Sequence, residues 1–238
     1  MKRRNWTLED VGKHWDRTED YDDINKKTYS YFRRFTDGYK MSDIKDNAYT
    51  LDICCRTGNG TSYFSSKKNI RAVCMDVSDK MLKIAAERLR AENVDFTVKR
   101  FDTHNLPAED NTFDEVLCFE TIEHIPDPEK FIKELSRVTK KGGEVIITMP
   151  NVLWEPVHAF AAVTGIHHSE GPHKFIPRRE ILKTLRRYNL GVKREKTTVL
   201  VAYGPKFLTS LGELIEKNLP ELIRRVFCLR RVFICEKL

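Results

Sequence analysis

A chain of 238 residues with 40% hydrophobic and 32% charged residues is long enough for one sizeable α/β core and indicates a soluble globular protein. No apolar run approaches the roughly 18 residues of a membrane span, and an acidic stretch follows the basic N-terminus, so we expect neither a transmembrane helix nor a signal peptide. The net charge of +7 would suit an acidic substrate, an anionic membrane surface or nucleic acid, but the basic residues are scattered along the chain.

The six cysteines lie mostly inside apolar runs, and no Cys-x-x-Cys pair occurs. Cysteines in that setting are typical of reduced core residues in a cytoplasmic protein. We therefore expect a cytoplasmic location, with no disulfide framework and no cysteine metal site.

The first 47 residues are rich in aromatic and charged side chains, and Tyr29, Phe32 and Phe35 recur near helical spacing. This pattern predicts two or three helices that lie outside the sheet. From their composition alone, one role for these aromatic residues is to cap the sheet.

Residues 49–61 are the stretch around which the rest of the chain is organised. Their first half is a short apolar run, as expected of a strand that is buried on both faces. Gly58 and Gly60 then allow a tight turn and a close approach of the backbone to a ligand. Residues 61–66 can open a helix whose free N–H groups face that turn. Strand, glycine turn and helix form the nucleotide-binding crossover of an open parallel sheet.

The next strand, at residues 70–75, ends at Asp76. Asp76 is close to the position, about 20 residues after the glycine turn, at which a carboxylate accepts hydrogen bonds from the two hydroxyls of a ribose. Ser78 is a predicted N-cap for a helix whose apolar residues recur at helical spacing. A third strand is predicted at residues 94–101, and Asp102 stands directly after it.

Four further strands complete the predicted sheet. The fourth covers residues 113–119, and a helix that begins near Pro128 and ends at a Lys-Lys-Gly-Gly turn leads to the fifth at residues 144–149. The sixth and last strands are predicted at residues 191–201 and 230–236. Alternating strands and helices predict an α/β fold with a doubly wound, mostly parallel sheet, in which ligands bind beyond the carboxyl ends of the strands.

Residues 51–58 resemble the first motif of the class I S-adenosylmethionine-dependent methyltransferases, which usually reads Leu-Asp-hydrophobic-Gly-Cys-Gly-Thr-Gly. The matching residues are Leu51, Asp52, Ile53, Cys55, Thr57 and Gly58. Cys54 and Arg56 replace two of the motif's glycines, so Cys54 narrows the gap for the methionine end of the cofactor, and Arg56 needs a backbone conformation that a non-glycine residue can adopt. His14-Trp15-Asp16 and Tyr21-Asp22 resemble the N-terminal segment of the ubiquinone/menaquinone-biosynthesis methyltransferases, and the resemblance as a whole covers roughly residues 10–200.

The resemblance implies a seven-stranded, Rossmann-like sheet whose antiparallel last strand is inserted between strands five and six. It also implies an N-terminal helical lid at residues 1–47 and an S-adenosylmethionine-binding domain at residues 48–238 with an insert at residues 150–180. Asp76 would then bind the ribose, and Asp102 would meet the adenine amino group. The cofactor-binding residues that the resemblance implies are Asp52, Cys54, Arg56, Gly58, Asp76, Val77, Met81, Asp102, Thr103 and Phe119.

The most reactive side chains near the predicted pocket follow strand four. Because the unperturbed pKa of histidine lies near neutral pH, His124 is a candidate general base for a hydroxyl whose oxygen attacks the sulfonium methyl group. Alternatively, Glu120, Glu123 and His124 could hold a divalent cation such as Mg²⁺, which would lower the pKa of that hydroxyl. Ubiquinone-pathway O-methyltransferases and small-RNA 2′-O-methyltransferases carry a similar motif that is thought to bind metal. A purely structural role is the third alternative.

The insert after strand five holds four of the seven histidines. Their spacing does not match a structural zinc site. By resemblance this insert forms a substrate wall, and His173 is the second catalytic candidate. Its alternative role is a loop histidine that is exposed to water.

Two amphipathic helices are predicted in the C-terminal part, at residues 178–188 and 207–219. The apolar stripe of the second helix is flanked by lysines and arginines. Core packing, a dimer surface and peripheral contact with a membrane are the alternatives for this stripe. We expect the chain to be a monomer or a homodimer.

The sequence therefore predicts an enzyme that moves the methyl group of S-adenosylmethionine to a small or lipid-like acceptor, with a hydroxyl oxygen as the favoured atom. One alternative is an RNA 2′-O-methyltransferase, which the positive charge favours, but nucleic acid is the less favoured partner because no separate RNA-binding module is visible. The other is a non-catalytic S-adenosylmethionine-binding protein, which Cys54 and Arg56 motivate.

Overall fold

The computed structural model describes residues 4–19, 21–26, 28–101, 105–157 and 171–238. The strands are Tyr49–Ile53 (β1), Arg71–Asp76 (β2), Asp95–Arg100 (β3), Phe113–Phe119 (β4), Thr139–Pro150 (β5), Leu190–Thr198 (β6) and Arg230–Lys237 (β7). The helices of the described part include Leu8–Arg17 (α1), Tyr21–Lys26 (α2), Tyr29–Met41 (α3), Asn59–Ser65 (α4), Asp79–Ala91 (α5), Pro128–Val138 (α6), Arg178–Arg187 (α7), Lys206–Asn218 (α8) and Glu221–Phe227 (α9). A 3-10 turn lies at Val152–Trp154.

The seven strands form one sheet in the order β3-β2-β1-β4-β5-β7-β6. Strands β1 to β5 pair in parallel, whereas β7 is antiparallel to both of its neighbours, β5 and β6. The predicted doubly wound sheet, with its antiparallel last strand between strands five and six, is confirmed. Because β7 is antiparallel to both, β5 and β6 run in the same direction, and their carboxyl ends share an edge with those of β1, β2 and β4.

Local sequence explains where several elements begin. The Ser78 hydroxyl accepts a hydrogen bond from the Met81 N–H and caps α5, as predicted. The Asp127 carboxylate caps α6 in the same way, and Pro128 takes the first helical position, where no N–H is needed. Strand β4 has the predicted bounds because its run of apolar residues is buried on both faces of the sheet.

Strand β5 begins earlier than predicted. Thr139 already pairs with Phe113, directly after the end of α6, and the register then shifts before Glu144 pairs with Glu115. Gly142 lies inside this irregular stretch with a φ of 76°. The Lys-Lys-Gly-Gly stretch is therefore a bulged part of the strand and not a turn that precedes it, because glycine permits the positive φ within extended chain.

The three N-terminal helices are packed onto the sheet. Leu8, Val11 and Trp15 of α1 belong to the same hydrophobic core as Leu51 and Ile53 of β1. The prediction of two or three N-terminal helices is confirmed. The division into a lid and a domain at residue 48 stays a prediction.

Two sequence expectations concern the whole chain. All six cysteines are buried and unpaired, as expected. In the part of the chain that the structure describes, no helix is both long and apolar enough to cross a membrane.

Candidate functional site

The turn after β1 keeps a left-handed backbone where two glycines of the motif are replaced. The φ angles of Cys54, Arg56 and Gly58 are 53°, 52° and 76°. A left-handed conformation costs a non-glycine residue roughly 1–2 kcal/mol. Two residues of the turn therefore hold a strained backbone shape, which has to be stabilised by their surroundings. Burial also raises the pKa of the Cys54 thiol to about 12, so this side chain is neutral at physiological pH.

Asp52 anchors the start of α4. Its carboxylate accepts hydrogen bonds from the N–H and the hydroxyl of Thr61, at 3.0 and 2.7 Å. Burial raises the pKa of Asp52 to about 7. A methyl group on Gly60 would lie 3.0 Å from the Asp52 carboxylate, so this turn needs a glycine at that place. Asp52 thus shapes the turn through contacts within the protein.

Asp76 stands fully buried at the end of β2, at the predicted ribose position. One carboxylate oxygen accepts the backbone N–H of Arg56 at 2.8 Å, and the other accepts the N–H of Ser78 at 3.0 Å. The Arg56 guanidinium lies 3.6 Å from the same carboxylate and 4.1 Å from the centre of the Trp15 ring. The carboxylate that was predicted to bind ribose therefore pairs with a guanidinium of its own chain.

Helices α1 and α2 cover this edge of the sheet. The Asp16 carboxylate accepts a hydrogen bond from the Ser78 hydroxyl at 2.6 Å. In α2, the Asp22 carboxylate accepts hydrogen bonds from Thr57 at 2.7 Å and Asn59 at 2.8 Å, and it pairs with Arg88. The N-terminal helices are thus tied by polar side chains to both the glycine turn and the end of β2.

His124 lies in the turn after β4 and is 4% exposed. Its Nδ1 is 3.0 Å from the carbonyl oxygen of Pro172. Because a carbonyl oxygen only accepts hydrogen bonds, Nδ1 carries the hydrogen and Nε2 keeps a lone pair. Burial, with the nearby charge of Arg56 adding to it, holds the pKa of His124 well below its ordinary value. The imidazole is therefore neutral at pH 7 and can accept a proton at Nε2.

His173 is placed beside His124. The two ring centres are 6.1 Å apart, and the Trp15 ring lies 5.9 Å from the other side of His124. His173 is exposed, and its Nδ1 lies 2.9 Å from the carbonyl oxygen of Gly171 in its own loop. The two predicted catalytic histidines are thus brought together, one buried and one at the surface.

Glu120 faces away from this pair of histidines toward β7. Its carboxylate accepts a hydrogen bond from Arg230 at 2.8 Å. Burial alone would raise the pKa of Glu120, but the charges of Arg230 and Arg34 outweigh it and hold the pKa below its ordinary value. Glu120 is therefore an ionised partner in a buried ion pair.

The predicted metal set does not fit this arrangement. Glu120 is engaged by Arg230, and the Nδ1 of His124 is engaged by Pro172. Across the described ranges, no group of three or more His, Cys, Asp and Glu side chains is arranged to hold a metal ion. Metal binding by Glu120, Glu123 and His124 stays a prediction that the geometry does not favour.

The remaining predicted cofactor residues lie near Asp76, at the end of β4 or outside the described residues. Val77 and Met81 are buried beside the end of β2, and Phe119 packs its ring 5.1 Å from Phe35 of α3. Asp102 and Thr103 fall outside the part of the chain that the structure describes, as do three of the four histidines of the insert.

Sequence reasoning missed Arg88 and Arg230, whose partners lie 66 and 110 residues away along the chain. The available signal was the presence of basic residues beside apolar runs. Arg230, for example, opens the apolar strand β7 and is 2% exposed. A buried arginine needs a carboxylate partner, so this placement indicates an ion pair without identifying the partner.

Comparison with known proteins shows similarity to methyltransferases over part of the chain. Residues 51–147 match a family model described as a methyltransferase domain. Phosphoethanolamine N-methyltransferase 2 of Caenorhabditis elegans is 38% identical over 112 residues, which are 46% of this chain and 25% of that protein. The ubiquinone/menaquinone biosynthesis C-methyltransferase of Idiomarina loihiensis is 32% identical over 120 residues, which are 49% of this chain and 47% of that protein. The chain thus spans less than half the length of these curated relatives.

Solved structures share the fold at low identity. A geranyl diphosphate C-methyltransferase from Streptomyces coelicolor, crystallised with Mg²⁺, geranyl diphosphate and S-adenosyl-L-homocysteine, has a TM-score of 0.70 and 11% identity and covers 97% of each chain. A possible histamine N-methyltransferase from Thermotoga maritima has a TM-score of 0.69 and 17% identity, and it covers 96% of this chain and 100% of its own.

Proposed function

We propose that this chain, which carries a methyltransferase domain of the S-adenosylmethionine-dependent class at residues 51–147, transfers a methyl group to the hydroxyl oxygen of a small or lipid-like acceptor. The observation that carries the proposal is the buried, neutral His124 beside the end of β4, with its Nδ1 fixed by Pro172 and its Nε2 left as a proton acceptor. The lipid-like class is supported by relatives and neighbours whose names refer to ubiquinone, menaquinone and geranyl diphosphate.

The residues at the carboxyl edge fit an adenosine-containing cofactor. S-adenosylmethionine supplies an electrophilic methyl group on a sulfonium. In the proposed complex, Asp76 accepts hydrogen bonds from the ribose hydroxyls, and Val77 and Met81 provide an apolar wall for the adenine. For Asp76 to do this, the Arg56 guanidinium has to leave it, and α1 has to release its Trp15 ring from that guanidinium.

His124 acts as the general base in this proposal. As the acceptor oxygen bonds to the methyl carbon, the carbon–sulfur bond breaks, and the hydroxyl proton passes to Nε2 of His124. The lowered pKa keeps the imidazole neutral at pH 7, so that Nε2 has a lone pair for the proton, and it also makes this imidazole a weaker base than an ordinary histidine. Trp15 and the rest of α1 cover the site and exclude water, so that most of the catalysis comes from positioning and desolvation.

The direct test is methyl transfer from S-adenosylmethionine with a labelled methyl group to phenolic, lipid and RNA acceptors, with and without Mg²⁺. We expect His124→Gln to lower kcat by about 10²–10⁴-fold while the affinity for S-adenosylhomocysteine is kept. His173→Gln is the matched control at the exposed neighbour. Full activity of His124→Gln on a hydroxyl acceptor would contradict the proposal. If RNA alone became labelled, the acceptor would be RNA and not a small or lipid-like molecule.

One observation favours a second candidate, a binding protein without catalysis. The Arg56 guanidinium pairs with Asp76 and stacks on Trp15, where a cofactor would otherwise lie. If that pairing is permanent, the pocket stays closed. Binding of S-adenosylhomocysteine without methyl transfer to any acceptor class would favour this candidate.

A cytoplasmic location stays part of the proposal, since the six unpaired cysteines fit a reducing compartment.

A further inference from the structure

Helix α8 turns its apolar side to solvent. Phe207, Leu211 and Leu214 are 69%, 49% and 59% exposed. The side of the helix that packs on the protein instead carries Gly212 and Glu216, and Glu216 is only 2% exposed. This orientation is the reverse of the usual one for a surface helix, whose apolar stripe faces the core. Of the three alternatives for this stripe, packing in the core of the chain is wrong for these residues.

Specific polar contacts hold the helix in this orientation. The Glu216 carboxylate accepts hydrogen bonds from the Arg33 guanidinium of α3 and from the N–H of Val199, both at 2.8 Å. A methyl group on Gly212 would lie 2.6 Å from a Val201 side-chain carbon, so the helix backbone approaches closely there. The rotation of α8 is therefore fixed by a buried ion pair and a close backbone contact.

The exposed apolar surface continues beyond α8. Helix α9 adds exposed side chains, and the Trp154 indole N–H donates to the carbonyl oxygen of Phe227 at 3.1 Å, which joins the end of α9 to the 3-10 turn. We call this surface the apolar face. It consists of Leu153, Val157, Phe207, Leu208, Leu211, Leu214, Ile215, Leu222, Ile223, Val226 and Phe227, all of them at least 40% exposed.

The apolar face lies at the same edge of the sheet as the site. Helices α8 and α9 follow the carboxyl end of β6, which shares its edge with the carboxyl ends of β4 and β5. Helix α3 connects the two regions, because Arg33 binds Glu216 of α8 and Phe35 packs its ring 5.1 Å from Phe119 at the end of β4. A surface that bound the apolar face would therefore lie at the same edge of the sheet as the site.

The exposed lysines beside the apolar face suit an anionic partner, although Glu155 is an exposed acidic residue between Leu153 and Val157. Two acidic side chains of these helices are engaged within the protein, Glu216 with Arg33 and Glu221 with Thr197 and Arg224. Lys206 and Lys217 are exposed at the two ends of α8, and Lys217 keeps 65% of its side chain exposed although it lies 3.7 Å from Glu213. The whole chain carries a net charge of +7.

We propose that the apolar face docks onto the surface of an anionic lipid bilayer. Exposed aliphatic and aromatic side chains flanked by lysines are what a helix lying in the membrane interface requires. A second copy fits less well, because two chains of the same charge repel each other. Docking itself is independent of catalysis. Its role in presenting a lipid-like acceptor to His124 rests on the proposed function.

The test is flotation of the full chain with vesicles of phosphatidylcholine alone or mixed equally with phosphatidylglycerol. The variant Phe207→Ser/Leu214→Ser/Leu222→Ser removes exposed apolar groups from the face. The matched control, Val98→Thr/Val192→Thr/Leu238→Ser, changes three exposed apolar residues outside it. We expect the natural chain to bind the anionic vesicles. The affinity of the first variant for them should be lower by a factor of about ten or more. The control variant should bind as the natural chain does, and added salt should weaken binding.

Three results would overturn the docking proposal. One is that the natural chain does not float with either kind of vesicle. Another is equal binding by the two triple variants. The third is dimerisation in analytical ultracentrifugation that only the first variant loses, without vesicle binding, which would assign the face to a second copy. Because flotation uses neither cofactor nor acceptor, its failure is distinguishable from a failure of the proposed methyl transfer.

Discussion

Replacing Arg56 with glycine tests whether this side chain controls access to the cofactor site. In the natural chain, the guanidinium lies 3.6 Å from the Asp76 carboxylate and 4.1 Å from the centre of the Trp15 ring. A cofactor that uses Asp76 has to displace it from both partners. Arg56→Gly removes that displacement and also restores the residue type that suits a φ of 52°.

The expected magnitude follows from the contact between the Arg56 guanidinium and the Trp15 ring. A desolvated guanidinium on an indole ring contributes about 2 kcal/mol, and 1.4 kcal/mol corresponds to a tenfold change in affinity. Arg56→Gly should therefore bind S-adenosylhomocysteine about 30-fold more tightly than the natural chain. The fold should survive, because relief of the left-handed backbone offsets about 1 kcal/mol of the lost stacking. The Asp76 carboxylate also keeps its two backbone N–H donors.

The assay is calorimetric titration with S-adenosylhomocysteine, which is stable during the measurement. Arg71→Gly is the matched control, because Arg71 also lies over an aromatic ring, 4.8 Å from the centre of Tyr49, but at the opposite edge of the sheet. The control should bind as the natural chain does. Unchanged binding by Arg56→Gly would refute the reasoning, and weaker binding would refute it and also make Arg56 a contributor to cofactor binding.

Three further expectations concern pH and the N-terminal helix. Because the pKa of His124 is lowered, kcat should stay constant as the pH falls through 6.5, and a decline centred at 6.5 would show that the pKa of the base is not lowered. Because the pKa of Asp52 is raised to about 7, the natural chain should lose about 3 kcal/mol of unfolding free energy relative to Asp52→Asn as the pH rises from 4 to 7, and urea titrations of both chains would miss this difference if Asp52 ionised normally. In Gly12→Ala the added methyl group would lie 2.9 Å from the Val77 carbonyl oxygen, so α1 should lose protection from hydrogen exchange, whereas the exposed Lys13→Ala should not.

Most of the fold could be predicted from short-range patterns in the sequence. Strand β4 was predicted with its observed bounds because a run of buried residues ends at polar residues on both sides. The Ser78 cap of α5 was predicted because the cap and its helix are adjacent in the chain. The doubly wound, mostly parallel sheet was predicted from the alternation of strands and helices, and the place of the last strand was implied by the resemblance.

Long-range polar contacts could not be predicted in the same way. The periodicity of residues 207–219 indicates an amphipathic helix, but it does not tell which face packs on the protein. That choice depends on the ion pair between Glu216 and Arg33, which are 183 residues apart. The pairing of Arg56 with Trp15 has the same origin, because two segments that are distant in the chain meet at the edge of the sheet.

Titration of the purified chain with S-adenosylmethionine and S-adenosylhomocysteine tests the central claim most directly. The chain, Asp76→Ala and the control Asp79→Ala should be compared by calorimetry, since the side chain of Asp79 is 74% exposed only three residues further on. We expect binding to the natural chain and to Asp79→Ala, and no binding to Asp76→Ala. Absence of binding to the natural chain, in a protein shown to be folded, would contradict the assignment of this edge as a cofactor site.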